Sequence, residues 1–467
     1  MKELPQAGEA KAAVSKTVAQ IKFNDTHLHA VAEMLEDSAL LEAEHCDAVS
    51  SQGVTLGPLH GLPFVVKDII DVAGVSTRSG SLTRKDSPPC DRDAPVVAAL
   101  RSAGAIPVAK SNTMEFAIGG WGTNQTVGTP HNPWDLNVPR VPGGSSSGTG
   151  ALVGAGLVPA GLGTDTGGSV RLPAAFCGCV GLKTSIGLVS RTGVTPLSDT
   201  LDTVGPLTST VELAAQMLAV MQGPDLDDPS TIGSPLKCPM RDLDRGIFGL
   251  RLGAVPTDAM PYLSEEMATA FESAINQLFD AGATIANCTL PMSFEDYQMY
   301  GGIISATEAY ATYSDIVDDL SSPMAEPNRL RMARGNSITA AERIRIERDR
   351  TRSIADFEAV IDGFDAIVLP TTPYAAIPIA EVDESDMTYG NHTRFANYLE
   401  LAGLSVPMSL TDAGLPTSLQ IVTRRFDDPL ALRIGRAFEQ VRGPFQKPTL
   451  KPAGTKLPRA SGFGVGN

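Results

Sequence analysis

The sequence predicts an α/β fold, and three observations carry that reading. Ala94 to Ala103 is amphipathic at helical spacing and is followed, after Gly104, by the short apolar run Ala105 to Ala109. The same alternation returns from Ile247 onward as a strand, a helix (Ser264 to Phe279) and a second strand (Thr284 to Leu290). Phe64 to Val66 and Ala366 to Leu369 are short, wholly apolar runs that stop abruptly in polar residues or proline. Alternation of helices with buried strands is the signature of a sheet covered by helices.

Taken in order, residues 1–22 read as one helix with a polar face and weak caps, and Leu28 to Leu35 as a strand. Asp37 and Ser38 offer an N-cap for a helix through about Ala48. The rigid loop from Gly57 to Pro63 feeds Phe64 to Val66, which end in Lys67 and Asp68. Gly104 stands where a C′ glycine closes a helix. Residues 111–142 are mostly irregular and hold both tryptophans, Trp121 and Trp134; a loop of that length in a compact domain is usually functional. Ala151 to Leu162 is apolar and small, suited to a closely packed helix and then a buried strand, and Val211 to Met221 reads as a helix. Residues 223–244 are rich in Pro, Asp and Gly and mark an insertion boundary. Residues 291–350 read as helical and charged, with Arg329, Arg331 and Arg334 on a solvated face. Leu404 to Met408 and Ser418 to Val422 read as strands, Pro429 to Val441 as the last helix, and residues 444–467 as a loosely held tail. No internal repeat is visible.

Composition narrows the classes. A chain of 467 residues that is 42% hydrophobic and 19% charged can bury a large core. Its net charge of −16 argues against nucleic acid and anionic membranes as partners. The N-terminal residues lack a long apolar segment and no window reaches a transmembrane span, so a cytoplasmic location is expected. Six cysteines in so long a chain make no disulfide framework. Cys177 and Cys179 read as reduced core thiols, and neither a metal site nor a cofactor is expected.

Chemistry concentrates between Gly143 and Ser169, which read GGSSSGTGALVGAGLVPAGLGTDTGGS. Two serine-bearing glycine turns, around Ser145 and Ser169, lie 24 positions apart and flank the small apolar segment. A serine nucleophile needs a base and donors for the oxyanion it creates. None of the six histidines lies beside either turn in sequence, although a triad partner could be supplied by the fold. Gly144 to Gly148 fits G-x-S-x-G with Ser146 at its centre, but VPRVP before it is a poor strand for a nucleophile elbow. The phosphate-binding patterns G-x-x-x-x-G-K-[ST] and G-x-G-x-x-G are absent here. Lysine can replace histidine where burial removes its proton, and Lys67, at the end of a strand-like run, is the candidate.

GGSSSG followed by LGTDTGGSVRLPAAFCGCVGLKTS, with FVVKD some eighty residues upstream, resembles the amidase signature family. Weaker similarity runs from about residue 55 to 440 through AKSNTMEFA, HNPWD, DAIVLPTTP and LPTSLQIV. The resemblance implies an α/β fold with a central mixed sheet of about eleven strands covered by helices on both faces. It implies a single domain over residues 1–443, with the signature core at about residues 60–205 and a helical insertion region at about 223–350. It implies Ser169 as the acyl-forming nucleophile, Ser145 as a bridging serine with a cis peptide bond to Gly144, and Lys67 as the base. Backbone N–H groups of Thr166, Gly167, Gly168 and Ser169 match the oxyanion hole, Ser146 a supporting hydroxyl, and Asp165 and Arg171 positions that brace the loop. Met114, Phe116 and Trp121 are the residues expected to line the substrate pocket. The N-terminal region is short for the family, which bears on dimerisation or gating; a homodimer is compatible with the sequence.

The activity implied is hydrolysis of small amides, extending to carbamates, ureas or esters, with a small-molecule substrate and water as the partners. The alternative is the glutaminase component of a tRNA-dependent amidotransferase. Against that, GGWGTNQTVGTPHNPWD departs from the serine-threonine-glutamate-asparagine-serine run expected in such a component. The intact Lys67, Ser145 and Ser169 oppose a third reading, a non-catalytic protein that keeps the fold.

Overall fold

The structure, a computed structural model, describes residues 8–450. Helix α1 (Glu9–Leu28) runs six residues beyond the expected end, because its buried stripe of Val14, Val18, Ile21 and Leu28 continues that far. The strand expected from Leu28 is therefore shortened to β1 (Val31–Met34). Helix α2 (Glu36–Ser50) has Leu35 at its N-cap, so Asp37 lies in the first turn and not at the cap. There its charge still favours the helix through the macrodipole.

The expected alternation then follows closely. Strand β2 (Pro63–Lys67) is buried at every position. Helix α3 (Pro95–Ser102) begins with proline and leads through Gly104, at φ 89°, into β3 (Ile106–Ser111). The serine-rich stretch builds α4 (Ser147–Gly154), β4 (Ala160–Asp165) and α5 (Arg171–Cys177), followed by β5 (Val180–Lys183), β6 (Thr203–Thr208) and α6 (Val211–Met221). The second half supplies β7 (Arg251–Ala254), α7 (Glu265–Asp280) and β8 (Thr284–Asn287). Three helices come next, α8 (Phe294–Asp318), α9 (Glu326–Ala333) and α10 (Ala340–Ile361). The chain closes with β9 (Ala366–Pro370), α11 (Asn391–Tyr398), β10 (Ala402–Leu410), β11 (Pro416–Thr423) and α12 (Asp428–Arg442).

All these strands join one 11-stranded sheet in the order β1-β3-β2-β4-β6-β5-β10-β11-β9-β7-β8. It is mixed: β2 runs parallel to β3 and β4, while β4–β6 and β10–β11 are antiparallel. Residues 223–350 are thus more than an insertion, since β7 and β8 form one edge of the common sheet. Helices cover both faces, and β2 shows why its composition is apolar throughout. Phe64 and Val66 enter one core cluster and Val65 the other, as strand alternation requires.

Small residues in α4 serve close approach. A Cβ at Gly148 would fall 2.2 Å from the Ala30 carbonyl oxygen, and one at Gly154 2.2 Å from that of Cys177. Two expectations are corrected. Arg329 and Arg331 are buried and do not lie on a solvated face, whereas Arg334 is exposed. Arg329 folds back onto the Ile316, Val317 and Asp319 carbonyls at the end of α8, and Arg331 pairs with Glu384 at 2.7 Å. The first residues of the expected tail are also held, with the Phe445 ring 5.7 Å from Trp134. The rest of that tail, from residue 451, lies outside the described residues, as do residues 1–7.

Candidate active site

Parallel pairing of β2 with β4 brings their C-terminal ends together, Val66 opposite Leu162. Lys67 ends β2 and Asp165 ends β4, so the lysine emerges beside the turn that carries Ser169. The other serine turn precedes α4, and no strand runs into it, which removes the nucleophile-elbow reading of Ser146. The Gly144–Ser145 peptide bond is cis, as the family resemblance implies. Thr113 Oγ1 and the Met114 N–H both donate to the Ser145 carbonyl, at 2.8 and 3.2 Å. The two serine turns are joined directly, because the Ser146 N–H donates to the Ser169 carbonyl at 3.2 Å.

Lys67 Nζ donates to Ser145 Oγ at 2.7 Å and to Thr164 Oγ1 at 2.8 Å. The side chain is wholly buried. Burial pushes its pKa down to about 7, and the carboxylates of Asp202 and Asp165 limit that fall. Burial therefore favours the neutral amine near neutral pH far more than at an exposed lysine. Ser146 Oγ accepts from the Thr164 N–H at 3.3 Å and donates to the Thr164 carbonyl at 3.4 Å, tying the first turn to β4.

The second turn is braced by charge. Asp165 and Arg171 form a fully buried pair, Nε to Oδ2 and Nη2 to Oδ1 both at 2.9 Å. Burial alone would raise the Asp165 carboxyl; the Arg171 guanidinium overcomes it and holds the group well below the carboxylate range. Arg171 also reaches the Thr393 carbonyl, Gln420 and Asn397, so one side chain ties the turn to α11 and β11. The Gly168 N–H is already engaged by Asp165 Oδ1 at 2.7 Å. Thr166, Gly167 and Ser169 line the adjoining cavity, and Thr166 Oγ1 is fixed on Asp202 at 2.5 Å.

That cavity has a volume of about 450 Å³ and is closed by α8, α9 and the segment before α11. Ile118, Leu172, Ile303 and Met387 make much of its wall. The expected pocket residues stand behind the wall, not in it. Trp121 is buried against Tyr389, ring centroids 4.6 Å apart, and Phe116 against Tyr313 at 4.8 Å. Met114 Sδ accepts from the Gly122 N–H at 3.3 Å. A large side chain in an irregular loop satisfies burial as readily as binding, and sequence alone does not separate the two. Thr164 and Asp202 were not singled out from sequence; Thr164 adjoins the expected Asp165, but Asp202 has no motif to mark it. Arg394, which lies against Gly167, is equally unmarked.

Comparison with known proteins agrees with this fold. A family model described as Amidase matches residues 12–432. The A-type subunit of glutamyl-tRNA(Gln) amidotransferase from Anaeromyxobacter dehalogenans (strain 2CP-C) is 37% identical over 480 aligned positions, covering 95% of this chain and 96% of that protein. Native peptide amidase from Stenotrophomonas maltophilia superposes with a TM-score of 0.83 at 29% identity, covering 95% and 96% of the two chains. A structure described as a vestigial complex that reveals the evolutionary origins of an s-triazine catabolic enzyme gives a TM-score of 0.86 at 29% identity, covering 92% and 95%. With two serine turns and a buried lysine meeting at the strand ends, and the match running nearly end to end, the chain belongs to the amidase signature family of enzymes acting on C–N bonds.

Proposed function

We propose that the protein cleaves the C–N bond of a small amide through an acyl-enzyme on Ser169. Neutral Lys67 draws the proton of Ser145, and Ser145 that of Ser169, whose Oγ attacks the amide carbon. The tetrahedral oxyanion is received by the backbone N–H groups of Thr166, Gly167 and Ser169, with Gly168 held by Asp165 as part of the turn. The relayed proton passes to the departing nitrogen as the C–N bond breaks, and water then cleaves the ester by the same route. The observation that carries this reading is the 2.7 Å contact of Lys67 Nζ with Ser145 Oγ in a site where burial has brought the lysine to about 7.

Two amide sources compete. The curated relatives favour glutamine as the donor, with the chain acting as the glutaminase component of an amidotransferase. The likeness to peptide amidase supports a hydrolase that works alone. The deciding assay measures ammonia or amine release by purified protein from glutamine, aliphatic amides, aryl amides, carbamates and ureas, beside Ser169→Ala. Turnover of any class by the unaltered enzyme, with at least a thousandfold loss in Ser169→Ala, is expected. A tenth of the activity surviving in that variant would rule out Ser169 as the nucleophile. Glutamine turnover that appears only with amidotransferase partner proteins added would establish the amidotransferase reading.

A further inference from the structure

The charge around the cavity is one-sided. Its lining includes the guanidinium groups of Arg331, Arg334 and Arg394 and, among the described residues, no Asp or Glu. Arg331 is neutralised from behind by Glu384 at 2.7 Å. Arg334 is exposed at the edge. Arg394 is different: it is partly buried, and its only hydrogen bond among the described residues is a weak one, Nε to Gln298 Oε1 at 3.4 Å. Neither of its terminal nitrogens has a hydrogen-bond or ion-pair partner among the described residues.

Its position is tied to the chemistry. A Cβ built on Gly167 would fall 2.3 Å from Arg394 Cζ and 2.4 Å from Nη1, so the guanidinium lies flat against the turn two residues before Ser169. Glycine at 167 is what allows that approach. The carboxylate that acts on it through space, Asp165, is already bonded to Arg171, so the partly desolvated guanidinium gains from a ligand that brings a negative charge, and its fork matches a carboxylate through two parallel hydrogen bonds. A substrate that also carried an ammonium group would find no carboxylate in the wall to receive it.

We propose that the substrate is an anionic amide, with a carboxylate held by Arg394 a short chain away from the scissile carbonyl and with no amino group beside it. The proposal rests on the Ser169 relay for its chemistry: the C–N bond of the bound amide breaks, ammonia leaves, and a dicarboxylate is the product. It separates this site from one built for free glutamine, whose α-ammonium would meet only arginines and neutral groups.

Three probes of equal chain length isolate the charges: glutaramate (glutamine without its amino group), glutamine, and uncharged pentanamide. Calorimetry on Ser169→Ala reads binding without chemistry. Glutaramate should bind at least tenfold more tightly than either of the others. Arg394→Gln in the same background should bring glutaramate to the level of pentanamide, and Arg394→Lys should restore part of the difference. Glutamine or pentanamide binding as tightly as glutaramate would overturn the proposal, and so would a preference for glutaramate that survives in a folded Arg394→Gln. If that variant does not fold, the three-probe comparison decides alone. Conversion of glutaramate to glutarate and ammonia by the unaltered enzyme tests the relay separately. Selective binding without turnover would remove the relay and leave the anion site; turnover without selectivity would do the reverse.

Discussion

Lys67 ends its strand with the amine wholly enclosed, and on the proposed relay both activity and stability should depend on pH. Below about pH 7 the lysine is protonated in the folded and unfolded states alike; between about 7 and its ordinary value of 10.5 only the unfolded chain keeps the proton. Because the unfolded state then binds more protons, the cost of burying Lys67 is full below pH 7 and fades as pH rises. kcat/KM should therefore climb with pH through a midpoint near 7, and a profile flat down to about pH 5 would exclude Lys67 as the base. In urea unfolding, the wild type should gain on Lys67→Met by roughly 3 kcal/mol between pH 6 and pH 9. A gap that stays constant would show that the lysine is not held neutral. At this scale the sequence singles out Lys67, Ser145 and Ser169 as candidates, because glycine turns and an abrupt strand end are local. It did not show Arg394 or Asp202, whose roles come from contacts with residues remote in the chain. Met114, Phe116 and Trp121 were misplaced because burial behind a pocket and exposure within it use the same side chains.

The segment from β4 through the turn to α5 depends on the Asp165–Arg171 pair. Removing one member of a buried ion pair leaves the other charge uncompensated, which costs about 3–5 kcal/mol. Asp165→Asn should lower stability by that order at pH 7 in urea or thermal unfolding. It should also lower kcat, since the Gly168 N–H loses its anchor. The carboxyl is held below its ordinary value, so its contribution is present above the unfolded pKa near 4 and is lost as pH falls further. The gap between variant and wild type should therefore narrow in acid; a gap that is small at pH 7 would mean the turn is held by its other bonds. Elements were legible where apolar periodicity is strong, as in α3, α6, α7 and β2. Their ends were less so. Leu28 prolongs α1 through its burial, and the helix stops at a left-handed cap, His29 at φ 51°, which no glycine marks in the sequence.

Strand order belongs to the whole molecule and was not in the sequence. β5 pairs with β10, more than two hundred residues later, and no local pattern specifies such a partner. The resemblance supplied the mixed sheet of about eleven strands, while residues alone gave only the alternation of helix and strand. Net charge is the whole-molecule property that was readable, and it bears on the amidotransferase reading. With 53 acidic against 37 basic residues, the chain lacks the excess of Lys and Arg that neutralises phosphates and releases counterions. If it serves as the glutaminase of such a complex, contact with tRNA falls to a partner protein. Filter binding of the purified chain should retain no tRNA at 150 mM salt and gain little at 50 mM. Tight retention with a steep salt dependence would reveal a local basic face strong enough to override the overall charge, and would move tRNA contact onto this chain.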